Sequence, residues 1–146
     1  MSQWKKILVA YDGSPHSKEA LNQAIELSLL SKAQVSGVTV FDVSSIFPLV
    51  EAGVSTFMKE FEKKRQDDQK MIHDAIAIGK NKGVDITCEI LYGNIADKIL
   101  DYANKGKYDL IVAGTKGHGE IEGMLVGSVT RKLVSLARMP VMVVKD

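Results

Sequence analysis

Five short apolar runs, separated by stretches with helical spacing, constrain the fold of this chain more than any other feature. The runs are nearly continuous and rich in β-branched residues, which is typical of strands buried on both faces. They cover residues 6–11, 34–43, 84–92, 108–114 and 140–145. Strands that alternate with helices predict a parallel sheet with helices on both faces, joined by right-handed crossovers. With 146 residues, the sequence predicts a single α/β domain over residues 1–146 that contains an open five-stranded parallel sheet.

Apolar stripes at helical spacing predict helices between these runs. Residues 20–29, 95–103 and 129–137 each carry such a stripe, and a longer, less regular helix is expected from about Phe57 to Lys82. Its expected buried side includes Phe57, Met58, Phe61, Met71, Ile72, Ala75 and Ile76. The charged middle, "EKKRQDDQK", is interpreted as a solvated face. Residues 44–56 are predicted to form a long loop, which either has a functional role or packs its apolar side chains against the domain.

Charge and cysteine content exclude several classes of protein. Nineteen Lys and Arg against eighteen Asp and Glu give a net charge of +1, which argues against a dedicated nucleic-acid binder and gives no support for a polybasic membrane anchor. The single cysteine, Cys88, cannot form an internal disulfide and is interpreted as a small hydrophobic residue in a reducing compartment. With no run that reads as a membrane span or a signal segment, we expect a cytoplasmic protein.

A glycine-rich segment after the fourth run carries the strongest functional signal. It contains Gly114, Gly117, Gly119, Gly123 and Gly127, followed by Ser128, Thr130 and a predicted helix. Glycines allow a ligand to approach the backbone closely, and the N-terminus of a helix attracts anions. Arg131 and Lys132 lie in or near the first turn of that helix, where the helix dipole disfavours cations. Either a bound anion offsets this cost, or both side chains extend into water.

The common phosphate-binding motifs do not fit this segment. Gly114 and Gly119 have the spacing of a P-loop, but Glu120 stands where the lysine is required. A dinucleotide fingerprint needs a third glycine at the position of Glu122. These two carboxylates oppose Lys116, so phosphate binding here would depend on backbone N–H groups and a metal ion.

The spacing that remains is Gly114, two residues, Gly117, nine residues, and then Gly127 with Ser128. This G-x2-G-x9-G-[S/T] pattern resembles the ATP-binding members of the universal stress protein family. The resemblance covers essentially the whole chain, including the opening "KKILVAYDGSPHSKEAL", the "GTKGHG" turn and the closing "ARMPVMVVK". It implies an adenine nucleotide alpha hydrolase-like fold with strand order 3-2-1-4-5. That order makes strands one and four neighbours, so that Asp12 and Gly114 can face one ligand, whereas the order 2-1-3-4-5 would separate them.

The resemblance also implies a set of nucleotide-binding residues. Those expected to contact ribose and phosphates are Asp12, Gly114, Thr115, Gly117, Gly127, Ser128, Val129 (through its backbone N–H) and Thr130. Those expected beside Asp12 or around the adenine are Ala10, Tyr11, Val40 and Ala113. For Asp12, three roles stay open: a ribose contact, a ligand to Mg²⁺ that accompanies ATP, and a turn-forming aspartate that caps the next segment.

The histidines and the last strand leave further alternatives. His118 and His16 lie near the expected site, and each is either a phosphate neighbour or a surface residue, while His73 is expected on the long helix. The strand at 141–145 would form an edge of the sheet. The resemblance implies that it pairs with its copy in a homodimer. The alternative is a monomer whose edge is protected by Lys145 and Asp146.

The leading interpretation is a cytoplasmic, homodimeric universal stress protein that binds ATP as a regulatory or stress-response module, with little or slow turnover. No Ser–His–Asp set, Cys–His set or metal-ligand spacing is discernible in the sequence. The first alternative is a slow ATP hydrolase or phosphotransferase in which Asp12 or His118 orients water. The second is a protein-interaction scaffold with a vestigial nucleotide site. The sequence indicates no particular protein partner.

Overall fold

A computed structural model describes residues 4–116 and 126–145. The strands are Lys6–Ala10 (β1), Gln34–Phe41 (β2), Ile86–Tyr92 (β3), Leu110–Gly114 (β4) and Val141–Val144 (β5). The α-helices are Pro15–Ser31 (α1), Val54–Asn81 (α2), Ile95–Lys105 (α3) and Ser128–Leu136 (α4). All strands pair in parallel in the order β3-β2-β1-β4-β5, so the predicted fold class and topology are confirmed. β3 and β5 form the two edges of the sheet.

Alternation along the strands divides the core into two apolar clusters, one on each face of the sheet. Ile7 and Val9 of β1 point to the face covered by α1 and α2, where Leu21 and Ile25 pack against them. Leu8 points to the opposite face, which is covered by α3 and α4. Helices therefore lie on both faces, and every central strand is buried on both sides, as its near-continuous apolar sequence predicts.

Polar caps begin two of the helices as the sequence predicts. The Ser14 hydroxyl accepts a hydrogen bond from the backbone N–H of Ser17 at 3.2 Å, and Pro15 occupies the first helical position of α1. The side chain of Asn94 accepts from the N–H of Asp97 at 3.1 Å at the start of α3.

The crossover from β2 to α2 departs from the prediction. Residues 43–45 and 47–52 form two short 3₁₀ turns rather than an open loop, and α2 begins at Val54 rather than near Phe57. Gly53, with φ of +111°, redirects the chain into the helix. Met58, expected on the buried side of α2, is 54% exposed, whereas Phe61 on the same part of the helix stacks on Phe41 of β2 with ring centroids 5.1 Å apart.

The charged middle of α2 is not entirely a solvated face. Asp68 is completely buried, and one carboxylate oxygen lies 3.1 Å from the ammonium of Lys64 one turn earlier. The Lys64 ammonium also lies 6.0 Å from the centre of the Phe41 ring at the end of β2. Within the described part of the chain, the other oxygen of Asp68 has no hydrogen-bond partner. The burial of this carboxylate is a tertiary effect that the local charge pattern could not predict.

The described ranges contain no helix that is both long enough and apolar enough to cross a membrane.

Candidate nucleotide-binding cleft

A cleft opens at the carboxyl ends of β1 and β4, on the face covered by α3 and α4. In open α/β sheets, ligands bind at such a point, where the strand order reverses. Here the chain leaves β1 toward α1 on one face and leaves β4 toward α4 on the other. The cleft encloses about 140 Å³. Its lining residues are Ala10, Tyr11, Asp12, Ser14, Ser17, Val38, Val40, Ile95, Ile99, Ala113, Gly114, Lys116, Val129, Thr130 and Leu133.

The floor and walls of the cleft are apolar. Val38 and Val40 project from β2, and Ala113 projects from β4 onto the same face. The α3 wall supplies Ile95 and Ile99, and the α4 wall supplies Val129 and Leu133. A slot between aliphatic side chains suits a flat heterocycle, since small-molecule sites combine an apolar interior with a few polar groups at defined positions.

The turn after β1 supplies the polar edge of this slot. One carboxylate oxygen of Asp12 accepts from the N–H of Ser14 at 2.9 Å, and Gly13 adopts φ of +78° between them. The N–H of Asp12 lies 3.3 Å from the hydroxyl of Ser17 in the first turn of α1. The turn-forming role of Asp12 is therefore present, and the same side chain lines the cleft.

Gly114 is needed for packing as well as for any ligand. A Cβ atom built at this position would lie 2.6 Å from the Cβ of His16 and 2.8 Å from its carbonyl carbon and oxygen. The end of β4 therefore lies directly against the first turn of α1. The Gly114 carbonyl also accepts the hydroxyl of Thr130 at 2.8 Å, which fixes α4 to the end of β4.

Further hydrogen bonds hold the chain on either side of residues 117–125. The N–H of Gly127 donates to the carbonyl of Thr115 at 2.7 Å, and the N–H of Thr115 donates to Val144 of β5 at 3.1 Å. The Thr115 hydroxyl lies 3.3 Å from Nδ1 of His16. The two described ends of this segment are thus held together beside the cleft.

The structure brings most of the predicted site residues together. Eight of them line the cleft, namely Ala10, Tyr11, Asp12, Val40, Ala113, Gly114, Val129 and Thr130. Thr115 and Gly127 border it through their mutual hydrogen bond, and Ser128 begins α4 with its side chain exposed. Gly117 and His118 lie outside the described residues. His16 is half-buried beside the site, and His73 is exposed on α2.

The side chains of Tyr11 and Thr130, predicted to contact the ligand, instead make contacts within the protein. The Tyr11 side chain packs in the apolar cluster on the α1/α2 face and is only 4% exposed, so the cleft meets its main chain. Burial, and then the negative charges of Asp74 and Asp12, raise the pKa of the Tyr11 phenol. The Thr130 hydroxyl is engaged by Gly114 and acts on the architecture of the site.

Sequence reasoning missed several lining residues. Val38 lies two positions before Val40 and therefore on the same face of β2, so strand alternation could have identified it. Ile95, Ile99 and Leu133 were assigned only to helix stripes, because no local signal tells which part of a stripe borders a cavity. Lys116 adds a cationic side chain to the rim.

The two cations at the start of α4 have different partners. The Lys132 ammonium lies 2.8 Å from a carboxylate oxygen of Asp97 in the first turn of α3, which joins the two helices that wall the cleft. Arg131 instead donates through Nη2 to the carbonyl of Val126 at 3.1 Å. Neither side chain simply extends into water.

Metal binding by protein groups alone has no support in this region. Asp12 is the only carboxylate that lines the cleft, and across residues 4–116 and 126–145 no three His, Cys, Asp or Glu side chains gather where they could hold an ion. A lone carboxylate fits Mg²⁺ only when phosphate oxygens supply other ligands.

Sequence relatives extend over nearly the whole chain. Residues 3–145 match the profile of the Universal stress protein family. Universal stress protein MJ0531 of Methanocaldococcus jannaschii is 36% identical over 142 residues, which cover 97% of this chain and 82% of that protein. Universal stress protein YxiE of Bacillus subtilis is 30% identical over 150 residues, covering 97% of this chain and 99% of the relative.

Solved structures show the same fold. Universal stress protein UspA from Lactobacillus plantarum superposes with a TM-score of 0.85 at 22% identity, over 99% of both chains. A universal stress protein crystallised in complex with cAMP superposes with a TM-score of 0.74 at 25% identity, over 98% of both chains. The sheet order and helix placement are those of the adenine nucleotide alpha hydrolase-like fold.

Proposed function

The chain belongs to the universal stress protein family, and from that premise we propose that its cleft binds an adenine nucleotide, with ATP as the main ligand. In this role the protein is a regulatory module of the cytoplasm that binds its nucleotide with little or slow turnover. The observation that carries the proposal is the aliphatic slot at the junction of β1 and β4, bordered by the Asp12 turn and the start of α4.

Each part of the cleft suits one part of the nucleotide. The base would lie between Val40, Ala113 and the α3 wall, because flat heterocycles pack well against aliphatic side chains. The Asp12 carboxylate at the polar edge suits a ribose hydroxyl. The phosphates would approach the N–H groups in the first turn of α4, which have no acceptor within the helix. In the alternative role for Asp12, its carboxylate would instead be the protein ligand of a Mg²⁺ ion held mainly by the phosphates.

Calorimetry with a cleft-blocking variant tests the proposal. Val40→Phe places an aromatic ring in the slot and should abolish saturable binding of Mg-ATP. Val54→Phe makes the same change at a valine that is 76% exposed on α2, outside the cleft, and should bind as the wild type does. Absence of binding by the wild-type protein at millimolar nucleotide, or equal binding by Val40→Phe, would reject the proposal.

The same samples distinguish binding from hydrolysis. We expect bound ATP to persist, because the cleft presents one carboxylate that is already engaged in a turn and no other side chain arranged as a general base among the described residues. Sustained phosphate release that Asp12→Ala abolishes, with binding retained, would instead assign a slow hydrolase.

The proposal includes a homodimer formed through β5. This four-residue strand is an edge of the sheet, and Met142 on it is 36% exposed. The adjacent helix α4 exposes Val134 and Leu136 by 54% and 58%, which adds apolar surface near the strand. Pairing two copies of one strand about a two-fold axis would cover this edge.

Light scattering after gel filtration tests the dimer. Met142→Lys should yield monomers because it places a charge at the proposed interface. Met58→Lys, at a methionine that is 54% exposed on α2, serves as the matched control and should leave the mass unchanged. A monomeric wild-type protein would contradict this part of the proposal and leave the nucleotide site untouched.

A further inference from the structure

Two adjacent cations near the start of α4, Arg131 and Lys132, differ in whether they are neutralised. Lys132 forms an ion pair with Asp97 at 2.8 Å. Arg131 takes part in none of the ion pairs among residues 4–116 and 126–145, and its hydrogen bond is to a neutral carbonyl, that of Val126. A guanidinium has five N–H donors, so most of the hydrogen-bonding capacity of Arg131 is not used by this contact.

The position of Arg131 is unfavourable without an anion. Side chains on a helix lean toward its N-terminus, and Val126 precedes α4, so the guanidinium folds back over the start of the helix beside Gly127. A cation at that end opposes the helix dipole. For Lys132, the carboxylate of Asp97 offsets this cost, whereas no carboxylate of the described residues does so for Arg131.

We propose that Arg131 selects for nucleotides with a longer phosphate chain by leaving the Val126 carbonyl and binding the phosphates beyond the first. The inference rests on the proposed nucleotide site and adds a specificity-determining residue to it. AMP, ADP and ATP share the base, the ribose and the first phosphate, so the apolar slot and the Asp12 turn face the parts that all three have in common. The additional phosphates extend away from the nucleoside, and guanidinium binds phosphate oxygens in a two-point geometry that a carbonyl contact leaves available.

Calorimetric affinities for AMP, ADP and ATP at one free Mg²⁺ concentration test this selection. Arg131→Gln should weaken ATP binding about ten-fold or more, as expected for the loss of a charge-assisted hydrogen bond, and change AMP binding by less than about two-fold. Arg131→Lys should give an intermediate ATP affinity, because it keeps the charge and loses the planar donor pair. The salt dependence of ATP binding should also become less steep in Arg131→Gln.

Lys132→Gln is the matched control, since it removes one positive charge from the same helical turn. Because Lys132 is committed to Asp97, this variant should change the AMP and ATP affinities by a similar factor. An unchanged ratio of ATP to AMP affinity in Arg131→Gln would overturn the role of Arg131. Nucleotide binding by the wild type would still uphold the proposed site in that case. An equal loss of selectivity in Lys132→Gln would also overturn the role of Arg131, because the selectivity would then come from the overall positive charge near the start of α4. A wild-type protein that binds none of the three nucleotides overturns both proposals.

Discussion

Two crossovers leave the carboxyl ends of their strands with the same local turn, and of these two turns only the one at Asp12 lines the cleft described above. After β1, an oxygen of Asp12 accepts from the N–H of Ser14 at 2.9 Å; after β2, an oxygen of Asp42 accepts from the N–H of Ser44 at 3.0 Å. The Asp12 turn lies among hydrogen bonds between distant parts of the chain, including the one that the Thr130 hydroxyl donates to the Gly114 carbonyl. The second is held by exposed contacts within three residues.

The two crossovers also differ in how their apolar side chains are used. Around the cleft, Val38, Ile99 and Leu133 are buried against one another. Beyond the Asp42 turn, Phe47, Val50 and Val54 are at least half exposed. The two regions therefore have similar turns and similar apolar residues. They differ in the long-range hydrogen bonds and close backbone packing that surround the Asp12 turn.

The largest test of this contrast compares two glycines. Gly114→Ala should lower the free energy of unfolding by about 3 kcal/mol, because the new methyl group would meet the main chain of His16. Gly53→Ala has open space around it, and its cost should be about 1 kcal/mol, from the positive φ alone. Urea denaturation of both variants measures the difference. Equal losses, or a larger loss at Gly53, would show that the two crossovers are equally constrained.

A smaller effect is expected when side-chain hydrogen bonds are removed. Thr130→Val keeps the shape of the side chain but leaves the buried Gly114 carbonyl without that donor, which should cost about 1–3 kcal/mol. The corresponding change in the other crossover is Ser45→Ala, which removes an exposed hydrogen bond to the Asp42 carbonyl and should cost less than about 0.5 kcal/mol. Thermal melts of the two variants provide the comparison, and similar shifts would contradict it.

The smallest expected effect is a loss of folding stability at alkaline pH, caused by the buried Tyr11 and half-buried Cys88 side chains. Burial and nearby negative charges raise the pKa of Tyr11, and burial also raises the pKa of Cys88. The unfolded chain then loses these protons at lower pH than the folded chain does. Stability is therefore complete below the unfolded values of 9.0 for cysteine and 10.0 for tyrosine, and declines as pH rises toward the folded values.

Tyr11→Phe should reduce this alkaline decline, by at most about 1.4 kcal/mol per pH unit. Denaturation curves between pH 8 and pH 11, for the variant and the wild type, measure it. Parallel curves would mean that Tyr11 is as easily ionised in the folded protein as in the unfolded chain.

The order of strands and helices along the chain was predictable because each element carries its own periodic signal, whereas the strand order in the sheet was implied by the family resemblance. The strands begin and end within two residues of their predicted bounds, and placing Asp12 and Gly114 on neighbouring strands required the order that the structure has. The same condition located the cleft at the ends of β1 and β4. Elements with a strong local pattern, and the residues that directly follow them, were therefore predictable.

What the sequence could not supply depends on contacts between distant residues. The burial of Asp68 and the Lys132–Asp97 ion pair each join a charged residue to surroundings that no local pattern specifies. The start of α2 at Val54 was missed because an apolar, nearly uncharged segment gives no boundary signal there. The sequence places Leu29 on the core stripe of α1, but it is 55% exposed, because Ser28 continues the buried stripe into the last turn.

The close contact between Gly114 and His16 means that a glycine kept at this position in descendants of this chain is not by itself a sign of ligand binding. Even a descendant that bound no nucleotide would be penalised for replacing Gly114, because the substitution would disturb the packing of β4 against α1. The persistence of a glycine there would record the architecture of the domain. If Arg131 binds phosphate as proposed, its replacement in a descendant would instead mark the loss of the ligand.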